Sequence, residues 1–164
     1  MKKELYFLRS SEQKIIKDMV HIAHNLTQEE SLIYSDFFGF SDKDLGLYVL
    51  VNNKIAGAIW SRKLKQQDNA SGFINEDTPV VSFAILPEFK GKEIGSFMME
   101  QFLQEAGAVY TALSINIFHK PKSLKFYEKF GFEKTENEFV LIKKLEKKEV
   151  IRPTDGYDPR RWMD

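Results

Sequence analysis

Cysteine is absent from the 164 residues. That excludes disulfides, thiolate nucleophiles and cysteine-ligated zinc together. It also fits a cytoplasmic protein, because disulfides belong to oxidising compartments. Histidine is scarce: His21, His24 and His119 are the three. His21 and His24 share a helical spacing, but no carboxylate or third histidine follows at ligand distance. A solvated helix face is expected there, and no metal site. Net charge is missing too, since 24 basic residues balance 24 acidic ones. The chain has no global basic field for nucleic acid. The lysines between Lys120 and Lys125 and between Lys143 and Lys148 are interrupted by acidic and apolar residues, so they read as solvated faces. No apolar run approaches the roughly 18 residues of a membrane span. The opening MKKELYFLRSSEQK turns polar after four residues, so neither a signal peptide nor a membrane anchor is expected. Fixed-period repeats and low-complexity tracts are lacking as well.

What is present suits one globular domain. Hydrophobic residues make up 43% and phenylalanine alone counts 14, enough for a single core. Glu4 to Leu8 reads as a strand. Ser10 with Gln13 forms a capping box before Ile15, Ile16, Met19, Ile22 and Ala23, which recur at helical spacing. Thr27 with Glu30 opens a second, shorter helix through about Phe37. Leu47 to Val51 and Ile55 to Trp60 flank Asn52-Asn53, a hairpin with a tight turn. A long polar loop runs from Lys63 to Pro79. Val80 to Leu86 is almost continuously apolar, as in a strand covered on both faces. A helix is expected from Glu93 to Ala106 with Gly107 as its cap, then a strand from Tyr110 to Phe118. Pro121 starts a helix over Lys122 to Phe130, ended by Gly131, and one or two strands close the domain by Leu145. The order β-α-α-β-β-β-α-β-α-β(β) makes an α/β (α+β) fold, a mixed central sheet with helices on both faces. The segment from Val80 to Phe118 is a β-α-β unit, so its strands should be parallel.

The stretch PEFKGKEIGSFMME, from Pro87 to Glu100, carries the clearest chemical signal. A basic, glycine-bearing loop feeds a helix start, where backbone N–H groups lack intrahelical partners and carry partial positive charge. Such a place binds phosphate with geometry already present. Gly91 and Gly95 admit close approach, and Lys90 and Lys92 add charge. Neither GxGxxG nor GxxxxGK[ST] is present.

Lys90-Gly91-Lys92-Glu93-Ile94-Gly95, following Ile85-Leu86-Pro87, resembles the acetyl-CoA signature of the GNAT acetyltransferase superfamily. Lys90 stands for the usual Arg or Gln, and Glu93 for the first signature Gly. If Glu93 must take positive φ, it adds roughly 1–2 kcal/mol of strain; helical backbone is the expectation. HKPKSLKFYEKFGF, from His119 to Phe132, resembles the second GNAT block. Lys120 takes the Asn place, Ser123 the Ala place, and Tyr127 through Phe132 matches closely. Gly57, in the third strand, also sits where such sequences carry Gly. The resemblance spans the first strand to about Leu145, giving a domain over residues 1–145 and a C-terminal extension over 146–164. That extension is compatible with closing the acceptor pocket, pairing two subunits as a homodimer, or packing on the surface.

The resemblance implies direct transfer of an acetyl group from acetyl-CoA to the primary amine of a small molecule or peptide. It places cosubstrate contacts at Phe83, Ile85, Lys90, Gly91, Lys92, Glu93, Ile94, Gly95, Ser96, Lys120, Ser123 and Phe126. The pantetheine arm would lie between the splayed parallel strands. A backbone N–H near Ile85 or Leu86 would polarise the thioester. Tyr127 is the expected acid, and Glu76, Asp77 or a water chain through Ser82 the candidate base. Glu30, Tyr34, Phe37 and Phe38 are the candidate acceptor contacts. The competing reading is a non-catalytic acyl-CoA-binding sensor or scaffold.

Overall fold

A computed structural model of the chain describes residues 2–24, 44–64, 72–118 and 120–152. β1 (Lys3–Phe7) leads through a 3-10 turn, Ser10–Glu12, into α1 (Gln13–His24). The carboxylate that reaches back at this helix start belongs to Glu12, whose Oε1 accepts from the Arg9 backbone N–H at 3.2 Å. The second helix expected from Thr27 to Phe37 falls outside the described residues.

β2 (Leu45–Val51) and β3 (Lys54–Arg62) form the expected hairpin, and Asn52 and Asn53 adopt the positive φ of its turn, 49° and 69°. β4 (Val80–Ile85) follows, then the 3-10 turn Pro87–Phe89 and α2 (Ile94–Gly107). β5 (Ala112–Asn116), the turn Pro121–Ser123 and α3 (Leu124–Lys129) come next, and β6 (Glu133–Lys134) and β7 (Val140–Lys144) end the domain. The seven strands form one sheet in the order β1-β2-β3-β4-β5-β7-β6. Only the β4–β5 pair is parallel, as the β-α-β reading required.

Helices cover both faces. Ile16 and Met19 of α1 pack with Trp60, Val80 and Ala84 on one face. On the other, Ile94, Met98 and Phe102 of α2 and Tyr127 of α3 pack with Val81, Leu113 and Ile115. Each fully buried Leu, Ile or Phe contributes roughly 1.5–3 kcal/mol through the apolar area it removes from water. The period of two along β4 therefore sends Val80, Ser82 and Ala84 toward α1, and Val81, Phe83 and Ile85 toward α2 and α3.

β4 and β5 share one register pair, Val80↔Ser114, where Ser114 N–H donates to Pro79 O at 3.0 Å. Beyond it each strand stays with its antiparallel neighbour, β3 or β7, and the shared edge opens. At the far end of α2, Gly107 is the last helical residue and not a left-handed cap. Its missing side chain serves a close approach: a Cβ there would lie 2.6 Å from the Glu146 carbonyl oxygen. The chain from Glu146 runs back along α2, with Ile151 N–H donating to Gln104 Oε1 at 2.8 Å and Arg152 forking onto Glu105 at 2.8 and 2.9 Å.

Candidate active site

A cavity of about 370 Å³ occupies the opening between β4 and β5. That size is typical of a small-molecule site. One end is the loop that enters α2. Gly91 has φ 79°, and Glu93 sits in the left-handed region at φ 61°, ψ 16°. This corrects the expectation of helical backbone at Glu93. The helix starts at Ile94, and Glu93 is its N-cap, so the strain of a side chain at positive φ, roughly 1–2 kcal/mol, applies. Phe97 N–H is bonded to Glu93 O at 3.1 Å. The N–H groups of Ile94, Gly95 and Ser96 precede that bond, and the Glu93 side chain caps none of them. All three residues line the cavity.

Gly95 is small for a second reason. A Cβ there would lie 3.1 Å from Phe83 Cζ and 3.5 Å from Phe126 Cζ, so a larger residue would push the rings into the cavity. Lys90 lines the cavity, whereas Lys92 is outside its wall, its Nζ 5.7 Å from the Phe89 ring centroid. Lys120 lines the opposite wall and is exposed overall. Burial, and then the charge of Lys90, hold its amine below the ordinary lysine range. Its Nζ donates to Ile22 O, in the last turns of α1, at 2.6 Å. Among the described residues neither Lys90 nor Lys120 forms a salt bridge. Two cations facing one cavity without a carboxylate partner favour an anionic ligand.

The remaining wall is aromatic. Phe83 and Phe126 lie 5.4 Å apart, and Tyr127 stands edge-on to Phe83, Phe126 and Phe132 at 6.1, 5.3 and 5.5 Å. Tyr127 is only 6% exposed, and burial pushes its phenol above the ordinary range. It therefore stays protonated through neutral pH. No described residue hydrogen-bonds its hydroxyl.

Backbone direction sorts the candidate thioester contacts. Leu86 N–H donates to Ala56 O at 2.8 Å, on the β3 side. Leu86 is thereby removed as a polarising donor. Backbone groups alternate along a strand, so those of Val81, Phe83 and Ile85 point to the β5 side, where the edge is open.

Three sequence candidates stand apart from this wall. Glu76 and Asp77 are exposed in the loop before β4, and Asp77 N–H is bonded to Asn75 Oδ1 at 2.9 Å. Ser82 is 2% exposed, on the α1 face of β4 beside Trp60. None lines the cavity. Glu30, Tyr34, Phe37 and Phe38 lie outside the described residues, as does His119. Ala23, Val81, Phe89, Ile115, Asn116 and Ile117 line the cavity without having been singled out. Asn116 carried a signal nonetheless, as a polar residue within an apolar strand.

A family model described as an acetyltransferase (GNAT) domain matches residues 36–141. The chain belongs to the GNAT acetyltransferase family. It is an enzyme that takes acyl groups from acetyl-CoA. Solved GNAT structures share the fold. One is a Sinorhizobium meliloti phosphinothricin acetyltransferase in complex with acetyl-CoA, at TM-score 0.64 and 14% identity over 97% of each chain. Another is the ribosomal-protein-S18-alanine N-acetyltransferase of Escherichia coli, at TM-score 0.62 and 12% identity over 94% of this chain and 98% of that one. A GNAT-family acetyltransferase of Streptococcus pneumoniae superposes at TM-score 0.60 with 15% identity, covering 88% of this chain and 99% of its own. No curated protein sequence matches the chain. Among the described residues of this GNAT protein no helix is long and apolar enough to cross a membrane, and no group of three metal-ligating side chains occurs.

Proposed function

We propose that this GNAT enzyme acetylates the primary amine of a small molecule or peptide by direct attack on acetyl-CoA. The observation that carries the reading is the run of uncapped N–H groups at Ile94, Gly95 and Ser96, opening onto the same cavity as Lys90 and Tyr127. A diphosphate seated there meets a helix N-terminus and a lysine, the electrostatic arrangement that suits it. The pantetheine arm then runs along the open β4 edge at Phe83 and Ile85, with Phe126 and Ser123 on the other wall.

In this scheme the amine, with an ordinary pKa near 10.4, must lose a proton before it attacks. That first proton leaves to solvent. The nitrogen then bonds the acyl carbon, Ile85 N–H stabilises the developing oxyanion, and the carbon–sulfur bond breaks. The proton still to be lost from nitrogen passes through water to the departing sulfur, giving amide and free thiol. Tyr127 donates a hydrogen bond to the departing thiolate. A phenol held above its usual range is a weaker acid than a thiol near 8.5, so full transfer from it is uphill in water. Burial raises the thiolate's proton affinity as well, which narrows the difference. Glu76, Asp77 and Ser82 stand outside the cavity wall and are given no part in removing the amine proton.

The test is calorimetric titration with acetyl-CoA, followed by free-thiol release over a panel of amines. Micromolar binding with amine-dependent thiol release is expected. Binding with no release from any amine would favour the sensor reading. No binding at all would remove the site.

A further inference from the structure

We propose that the acceptor amine carries a carboxylate, and that Asn116 recognises it from the α1 face of the sheet. This rests on the acetyl-transfer reading above. Along β5, Leu113, Ile115 and Ile117 pack into the core beneath α2 and α3. Asn116 alternates with them and faces the α1 side, as Ser114 does. Ala23 of α1 packs on that same face and also lines the cavity. The opening between β4 and β5 therefore passes through the sheet and has a mouth on each side. The mouth toward α2 and α3 is walled by Phe83, Phe126 and Tyr127 and holds the acyl donor. The acceptor is left the mouth at Ala23 and Asn116.

Asn116 presents one kind of group there. Its Oδ1 accepts the Phe118 backbone N–H at 2.8 Å. That bond fixes the amide's orientation and leaves Nδ2 for the cavity, a donor and not an acceptor. A donor does not bind an ammonium or a protonated polyamine; it binds an oxygen. The Gly72 backbone packs against it on this same face, beside Val80. Gly72 has φ +92°, and a Cβ on it would lie 3.3 Å from both Cβ and N of Asn116. Lys120 adds positive charge on the same side, since its Nζ reaches Ile22 O of α1. The one carboxylate among the described lining residues is Glu93, at the start of α2. An amino acid or a similar zwitterion matches this arrangement. Its amine points through the sheet at the thioester, and its carboxylate meets Asn116 Nδ2 and Lys120.

The experiment measures acetyl-CoA-dependent thiol release with matched acceptors: lysine against cadaverine, phenylalanine against phenethylamine, alanine against alaninamide. The carboxylate member should show at least tenfold higher kcat/KM in one or more pairs. Asn116→Ala should shrink that advantage at least fivefold through the acceptor KM, with the acetyl-CoA dissociation constant unchanged. Asn116→Asp, which puts a carboxylate against a carboxylate, should abolish it. Equal or better turnover of the partners lacking the carboxylate overturns the inference. So does an advantage that survives in Asn116→Ala, or an enzyme that binds acetyl-CoA and transfers to none of these acceptors. A protein that fails to bind acetyl-CoA overturns the transfer reading first, and this inference with it.

Discussion

On the α2–α3 side of the β4–β5 opening, the wall is deep, aromatic and closely packed. Gly95 leaves no room for a side chain between itself and Phe83, and Tyr127 is edge-on to three rings. On the α1 side the described wall is thin and polar, with Ala23, Asn116 and the Lys120 ammonium bound to Ile22 O. On the proposed reading the first side takes a long ligand with one polyanionic end, and the second takes a small acceptor recognised by an oxygen. One opened strand pair, held at Val80↔Ser114, serves both.

Breaking the aromatic side should have the largest effect. Tyr127→Phe keeps the ring packing and loses only the hydroxyl, so kcat should fall about 10²- to 10³-fold, the usual cost of removing one hydrogen-bond donor from a developing anion. Acetyl-CoA binding, read by calorimetry, should hold. Unchanged turnover would take Tyr127 out of the chemistry. Gly95→Val should weaken acetyl-CoA binding by at least tenfold, because its side chain must displace Phe83. Lys90→Met should weaken it by about tenfold and flatten its dependence on salt, since one charge fewer faces the diphosphate. The same variant should leave the acceptor KM alone, which separates the two sides.

Two smaller effects concern stability. Glu105 is buried and its partner Arg152 is 39% exposed, so Arg152→Ala should cost about 1–3 kcal/mol in urea denaturation, less than the loss of a fully buried pair. An unaltered midpoint would mean that the extension is a passive appendage. Glu93→Gly should relieve strain and raise stability by about 1 kcal/mol, while removing a carboxylate from the phosphate end. Tighter acetyl-CoA binding in this variant is the expected companion.

The wall that the sequence made legible is the one built from local pattern. A glycine-bearing loop before a helix, and a tyrosine three residues before Phe130, can be read along the chain. The strands and their order could also be read, because burial on two faces leaves a continuous apolar run at Val80 and a turn leaves Asn52-Asn53. Glu93 misled because a carboxylate early in a helix is favourable on propensity and dipole grounds. The backbone there instead takes a left-handed conformation as the loop turns into α2. Glu76, Asp77 and Ser82 lie off the cavity wall, since nearness in sequence to β4 says nothing about which face or edge a side chain reaches. The place of Asn116 on the cavity wall was missed because it depends on the strands parting, a long-range event no local pattern records. Gly107 was given a cap's role, whereas its reason is the Glu146 carbonyl, 39 residues away along the chain.

The most direct test follows the glycine amides. In protein labelled with 15N-glycine, the nine glycine signals can be assigned by substitution and followed as acetyl-CoA is added. The Gly91 and Gly95 amides should shift strongly, while Gly107 and Gly131, away from the cavity, stay in place. If Gly95 does not move while acetyl-CoA is bound, the diphosphate is seated somewhere other than the start of α2, and the account is contradicted.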